Sequence, residues 1–116
     1  MTGDDREGRQ AQLLKGLAEL ALLSLLDDGP CYGLEILERL RREAGLALAE
    51  GTIYPLLYRL ERAKLTRSEW KLESEGARPR KYYVLTDPGR AELKAQLADW
   101  RAVSTHLTKF LERRRP

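Results

Sequence analysis

Gly51-Thr52-Ile53-Tyr54-Pro55-Leu56-Leu57-Tyr58-Arg59-Leu60-Glu61-Arg62 is the stretch on which the fold turns. Ile53, Leu56, Leu57 and Leu60 recur at helical spacing and make one apolar stripe. At about 100° per residue, Gly51, Pro55, Tyr58 and Arg62 fall on the opposite face, with Thr52, Tyr54 and Arg59 on its flanks. One face can lock into a core while the other shows aromatic hydroxyls, guanidinium groups and open backbone. Proline has no N–H and clashes with the turn before it, so Pro55 calls for a helix start between Ala49 and Thr52. A helix that turns its first turn and its basic residues to solvent suits a DNA groove. An ordinary amphipathic surface helix explains these twelve residues equally well. The flanking sequence has to decide.

Upstream, Met1 to Gln10 is polar and charged and reads as a disordered lead-in. Ala11 to Leu26 reads as a helix whose leucines, among them Leu13, Leu17 and Leu20, cover most of the circumference. Such a helix is central to its domain or shared with a partner chain. Asp27-Asp28-Gly29-Pro30 stops it. Tyr32 to Ala44 makes a second helix, with Leu34, Leu37, Leu40 and Ala44 expected inward and Cys31 at its start. Three helices joined by short turns, the third amphipathic and basic, form a helix-turn-helix core.

Downstream the period drops to two. In Leu65 to Glu73, Thr66, Ser68, Trp70 and Leu72 alternate with charged residues, as in a strand with one solvated face. Residues 74–80 form a loop by composition, and Lys81 to Leu85 is a second strand. A hairpin whose tip carries Arg78, Arg80 and Lys81 is a wing able to reach phosphates or a minor groove. Thr86-Asp87-Pro88-Gly89 then caps a new helix. Leu93, Leu97, Trp100, Ser104, Leu107 and Leu111 advance along it by fours and threes, a heptad seam too long for so small a core to cover. The expected fold is therefore mainly α with a small β-hairpin wing. Residues 11–86 form a winged helix-turn-helix DNA-binding domain, 87–112 a C-terminal dimerisation helix and 113–116 a basic tail.

Bulk properties narrow the function. A chain of 116 residues buries one modest core. No run reaches the about 18 apolar residues of a membrane span, and Leu17 to Leu26 has acidic residues before it where a signal peptide needs basic ones. The lone cysteine excludes an internal disulfide and a Cys-rich metal site, which fits the cytoplasm. Net charge is only +3, yet residues 51–90 hold nine Lys/Arg against five acids. Clustered positive charge is the footprint of a polyanion partner. A single histidine, His106, with no acid or nucleophile at a useful spacing and no phosphate-binding loop, leaves nothing for an enzyme or a cofactor. The competing reading is a winged-helix module for protein–protein contact, against which the basic wing tip argues. Salt-dependent binding of duplex DNA separates the two.

These pieces together resemble the PadR family of winged-helix transcriptional regulators. The resemblance is carried by residues 25–36 (LLDDGPCYGLEI), by 51–61 (GTIYPLLYRLE), by 78–86 (RPRKYYVLT) with Gly89, and by Trp100. It covers roughly Leu17 to Leu111 and looks like the smaller subgroup with a single short C-terminal helix. The resemblance implies a dimeric DNA-binding repressor that leaves its operator when a small effector, phenolic or drug-like in some members, binds. Three departures stand out. Leu34 replaces a common aromatic, Ala49 replaces a capping Ser, and Lys64 stands where Gly is usual just past the third helix. The last asks a lysine for a positive φ, which non-glycine residues seldom adopt.

The site expectations follow. Thr52 and the helix N-terminal amides fix register on a phosphate, while Tyr54, Tyr58, Arg59 and Arg62 lie in or along the major groove. Arg78, Arg80 and Lys81 serve phosphates or the minor groove from the wing. Leu13, Leu17, Leu93, Leu97, Trp100, Leu107 and Leu111 form a homodimer interface. Two-fold symmetry then spaces the DNA-reading helices about 34 Å apart, on an inverted repeat. Trp100 has two readings. It is dimer-core packing, or paired Trp100 rings border a cavity, with polar Ser104 in the same seam, that stacks on a planar aromatic effector.

Overall fold

Three helices and a small sheet close around the stripe of Ile53, Leu56, Leu57 and Leu60, all four of which are buried. The computed structural model describes Arg9 and residues 14–113. Leu13, the rest of the expected lead-in and the last three residues lie outside the described residues. A 3₁₀ turn over Lys15–Leu17 runs into α1 (Ala18–Asp27), followed by β1 (Cys31–Tyr32), α2 (Gly33–Ala44) and α3 (Glu50–Arg62). Then come β2 (Thr66–Lys71), β3 (Arg80–Leu85) and the long α4 (Asp87–Leu111). The result is a winged helix-turn-helix with a long helix after it, mainly α as the periodicity predicts.

The core takes Leu22, Leu23 and Leu26 from α1, Ile36 and Leu40 from α2, the α3 stripe, and Thr66, Tyr83 and Leu85 from the sheet. On α2 the expected inward face is rotated. Leu34 is 58% exposed and Ala44 is exposed, while Ile36 is fully buried. The helix starts at Gly33, which itself is buried, so the stripe that meets the core runs Gly33, Ile36, Leu40. Leu34, one residue round from Gly33, is thereby turned out.

Cys31 does not open a helix. Cys31 and Tyr32 pair with Tyr83 and Tyr82 as a third, antiparallel strand, giving the sheet order β1-β3-β2. Two residues are too few to show alternation, so this strand leaves no periodic signal. Burial pushes the Cys31 thiol up, despite a contact from the Arg39 guanidinium at 3.5 Å. In β2 the inward face also ends early. Thr66 is buried and Ser68 half-buried, but Trp70 is 68% and Leu72 62% exposed, because the hairpin runs out beyond the helices.

Both ends of α3 lie where the sequence puts them. Ala49 is the N-cap and gives no side-chain hydrogen bond; its carbonyl accepts from Thr52 and Ile53 N–H at 3.0 Å each. Pro55 is accommodated within the helix, with no N–H to donate to the Gly51 carbonyl one turn back. At the other end Lys64 has φ 63°. Its N–H donates to the Glu61 carbonyl and Leu65 N–H donates to the Leu60 carbonyl, both at 3.0 Å. That is a Schellman motif with lysine in the glycine position.

The next link locks α4 to this turn. Thr86 N–H donates to the Leu65 carbonyl at 3.1 Å, Thr86 Oγ1 donates to the Lys64 carbonyl at 2.7 Å, and Gly89 N–H donates to Thr86 Oγ1 at 3.1 Å. A Cβ on Gly89 would meet the Leu65 carbonyl and come within 2.6 Å of Leu85 Cδ1. Two substitutions should therefore move stability in opposite directions. Lys64→Gly relieves the left-handed strain and should raise the unfolding free energy by about 1 kcal/mol, net of glycine's extra chain entropy. Gly89→Ala forces a side chain into backbone and should lower it by about 3 kcal/mol. Denaturant unfolding of the two variants beside the parent checks both signs.

Candidate nucleic-acid interface

The outward face of α3 holds the side chains that the sequence singles out, but it does not bring them all together. Thr52 is exposed in the first turn. Tyr58 is 64% exposed, and the Arg62 guanidinium sits 5.8 Å from its ring centre, an i,i+4 cation–π pair open to solvent. Tyr54 is 39% exposed and lies against α2: a Cβ on Gly33 would stand 2.7 Å from Tyr54 Cε1. Gly33 is thus the residue that lets this ring in. Burial, then the nearby Glu50 carboxylate, holds the Tyr54 hydroxyl above its ordinary pKa. Arg59 turns the other way, its Nη2 2.7 Å from Glu19 Oε1 on α1.

The wing divides its cations between its two faces, since consecutive strand residues alternate. On the outer face the Arg80 guanidinium stacks 4.5 Å from the Tyr32 ring centre. Tyr32 meets Tyr82 edge-on at 5.4 Å, and the Lys71 ammonium lies 5.2 Å from Tyr82. Tyr82 also donates its hydroxyl proton to Glu73. On the inner face the Lys81 ammonium is 5.2 Å from the Tyr83 ring centre and 3.4 Å from Glu61 Oε1. Lys81 is therefore a half-buried strand residue facing α3, not a tip residue. Arg78 is exposed in the connecting loop. Trp70 lies directly across the ladder from Lys81.

Glu61 was not marked by the sequence, yet it joins α3 to the wing. Ser68 Oγ donates to its Oε2 at 2.6 Å, and Lys81 supports the other oxygen. Glu19 carries no such signal either, and the 25–36 motif contains Tyr32 and Gly33 without disclosing what they pack against. Each acts through a residue far along the chain, and helical or strand spacing reports only local neighbours.

Along α4, Leu93 packs against the core and Leu97 is half-buried. Beyond them Trp100 is 42%, Val103 60%, Leu107 49%, Phe110 55% and Leu111 63% exposed. A groove of about 250 Å³ beside Trp100 is lined by Gly16, Leu17, Leu20, Gln96, Asp99 and Val103. Ser104 is not part of its lining; its hydroxyl donates to the Arg101 carbonyl at 3.4 Å. Among the described residues no helix is long and apolar enough to cross a membrane.

A helix-turn-helix with a basic hairpin wing is the frame of a nucleic-acid-binding protein, and comparison with known proteins narrows the class. Residues 22–95 match the model of the transcriptional regulator PadR-like family. A PadR-like transcriptional regulator from Bacillus cereus is 35% identical, over 87% of this chain and 97% of its own, with a TM-score of 0.78. A PadR family regulator from Eggerthella lenta is 34% identical, over 94% of this chain and 95% of its own, also at 0.78. A protein of Lysinibacillus sphaericus with no described function is 27% identical over 105 residues. The chain belongs to the PadR-like family of transcriptional regulators.

The Glu61 contact predicts an acid-sensitive wing. The Ser68 hydroxyl, followed by the Lys81 charge, holds the Glu61 carboxyl below the usual carboxylate range. The contribution is therefore complete above the unfolded value of about 4.3 and is lost as pH falls through the lower folded value. Glu61→Gln should leave stability almost unchanged at low pH and lower it above pH about 5. Thermal unfolding of parent and variant across that range checks it; parallel curves would show that the pair contributes nothing.

Proposed function

We propose that this chain is a homodimeric, sequence-specific DNA-binding repressor of the cytoplasm, released from its operator by a small planar aromatic effector. The observation that supports DNA binding most directly is the split of α3. Its apolar stripe is wholly buried, while Tyr58 with its stacked Arg62 and the exposed Thr52 turn face solvent. In this reading α3 is the recognition helix, with Thr52 and the first-turn amides on a phosphate and Tyr58 and Arg62 toward base edges. Tyr54 contributes through its exposed edge, and Arg59 after it leaves Glu19. From the wing, Arg78 and Arg80 take phosphates or the minor groove, and Lys81 braces the wing against Glu61 and adds positive potential.

Assembly is supported by α4. The apolar run from Trp100 to Leu111 is exposed in one copy, and an exposed helical stripe of this kind marks an interface. A second copy would cover it, with Leu17 and Leu97 at its inner edge and Leu93 shared with the core. The groove beside Trp100 is the proposed effector site, and Ser104 sits on the adjoining seam. Effector binding relieves repression only if it favours one arrangement of the two winged-helix halves over the other.

Three measurements test this. Sedimentation at micromolar concentration should give twice the chain mass; a monomer rejects the assembly. Duplex binding across a salt series should show a steep slope. Arg80→Ala should weaken binding to all sequences and flatten the log K against log salt slope by about one, while Arg62→Ala should cost specific binding more than non-specific. For the effector, a Trp70→Phe background leaves Trp100 as the sole tryptophan. Planar aromatics should quench it while releasing DNA, and Trp100→Leu should abolish both effects with the dimer intact. If Trp100→Leu gives only monomers and no compound quenches the parent, Trp100 is dimer core.

A further inference from the structure

Glu19 on α1 connects two elements that are remote from it in sequence. Its Oε1 accepts from Arg59 Nη2 at 2.7 Å, across 40 positions, and its Oε2 accepts from Gln96 Nε2 at 2.5 Å, across 77. The Gln96 amide also donates to Glu92 Oε2 at 2.7 Å. An amide placed between two carboxylates can offer them only its NH₂ group, so its orientation is set by chemistry. The Glu19 side chain is 22% exposed and Arg59 63% exposed, so the carboxylate is held more firmly than the guanidinium it binds. Arg59 is one residue from Tyr58 on the helix that carries the outward-facing groups.

We propose that Glu19 is a positioning residue for DNA binding. In the free protein it withholds Arg59 from the groove-facing surface of α3, and Gln96 keeps Glu19 in the rotamer that does so. The inference rests on α3 being the helix that meets DNA. A backbone phosphate and Glu19 are then two anions competing for one guanidinium. An ion pair this exposed is weak, so the competition is worth no more than about fivefold in affinity. Gln96 lines the groove beside Trp100 as well, which puts α4 one hydrogen bond from the residue that restrains Arg59.

The test uses a mixed-sequence DNA duplex over a potassium chloride series, because competition with phosphate needs no particular operator. Full-length parent, Glu19→Gln, Arg59→Ala and the double variant are compared, with thermal unfolding to verify that each is folded. Glu19→Gln should tighten binding about threefold to fivefold and steepen the slope of log K against log salt by about one. In the Arg59→Ala background it should change neither. Gln96→Leu should shift affinity in the same direction by a smaller step and add nothing on top of Glu19→Gln. Weaker binding by Glu19→Gln would make Glu19 a structural strut and overturn the inference. So would an equal gain with and without Arg59, which reports only the loss of a like charge near DNA. A parent with no salt-dependent duplex binding removes the DNA reading itself, and that is visible before any variant is compared.

Discussion

The carbonyl of Leu65 is the point on which the relative placement of the elements depends. It accepts the Thr86 N–H at 3.1 Å, and Gly89 lies so close to it that no side chain fits between them. Leu65 itself is the last residue of the Schellman turn that ends α3, and Thr86 is the cap of α4. One short knot therefore fixes where α3 stops, where the wing begins and the direction in which α4 leaves. Its strain is local. Lys64 takes a φ of 63°, and the Thr86 hydroxyl donating to the Lys64 carbonyl at 2.7 Å helps to hold it there. The departure from glycine at this position thus costs some stability without remodelling the turn.

Charge on the proposed DNA face is less abundant than a residue count implies. Arg59 is paired with Glu19 and Lys81 with Glu61, at 2.7 and 3.4 Å. Arg67 and Lys71 share Glu69, whose carboxyl the Arg67 guanidinium holds below the usual range. Such exposed pairs are individually weak, but each partner offsets much of the field that its cation would project. Arg62 and Arg80 instead rest on the faces of Tyr58 and Tyr32. Aromatic stacking orders a guanidinium without neutralising it. The potential that reaches a polyanion therefore comes mainly from the stacked Arg62 and Arg80 and the exposed Lys64 and Arg78, with Lys81 adding less because Glu61 faces it.

Much of the fold was legible because it is written in local periods. The α3 stripe, the hairpin and the Thr86 cap each depend on residues near one another in the chain. What escaped depends on distant partners. β1 is two residues long and exists only because β3 lies beside it. Spacing places Leu34 inward, yet Gly33 packs beneath the Tyr54 ring and Leu34 beside it faces out. On α3 the outward residues were correctly separated from the stripe, but spacing could not show that Tyr54 leans on α2 or that Arg59 reaches α1. Those are properties of side-chain length and of what stands across the gap.

The same distinction explains α4, which has two environments along one seam. Leu93 packs against the core, Leu97 is half-buried, and between them Gln96 reaches Glu19 of α1. Trp100 and Val103 still border Leu17 and Leu20 across a groove, and from Leu107 onward the seam continues with the same spacing but, among the described residues, stays exposed. A helix of 25 residues extends about 37 Å, further than so small a helix-turn-helix core reaches. Exposing five large apolar side chains on one helix end is costly in water, and helix propensity alone does not retain so long an unsupported end. Among the described residues the inner part of the seam is thus explained by the fold of one chain, whereas the exposed outer part is what supports the proposed assembly.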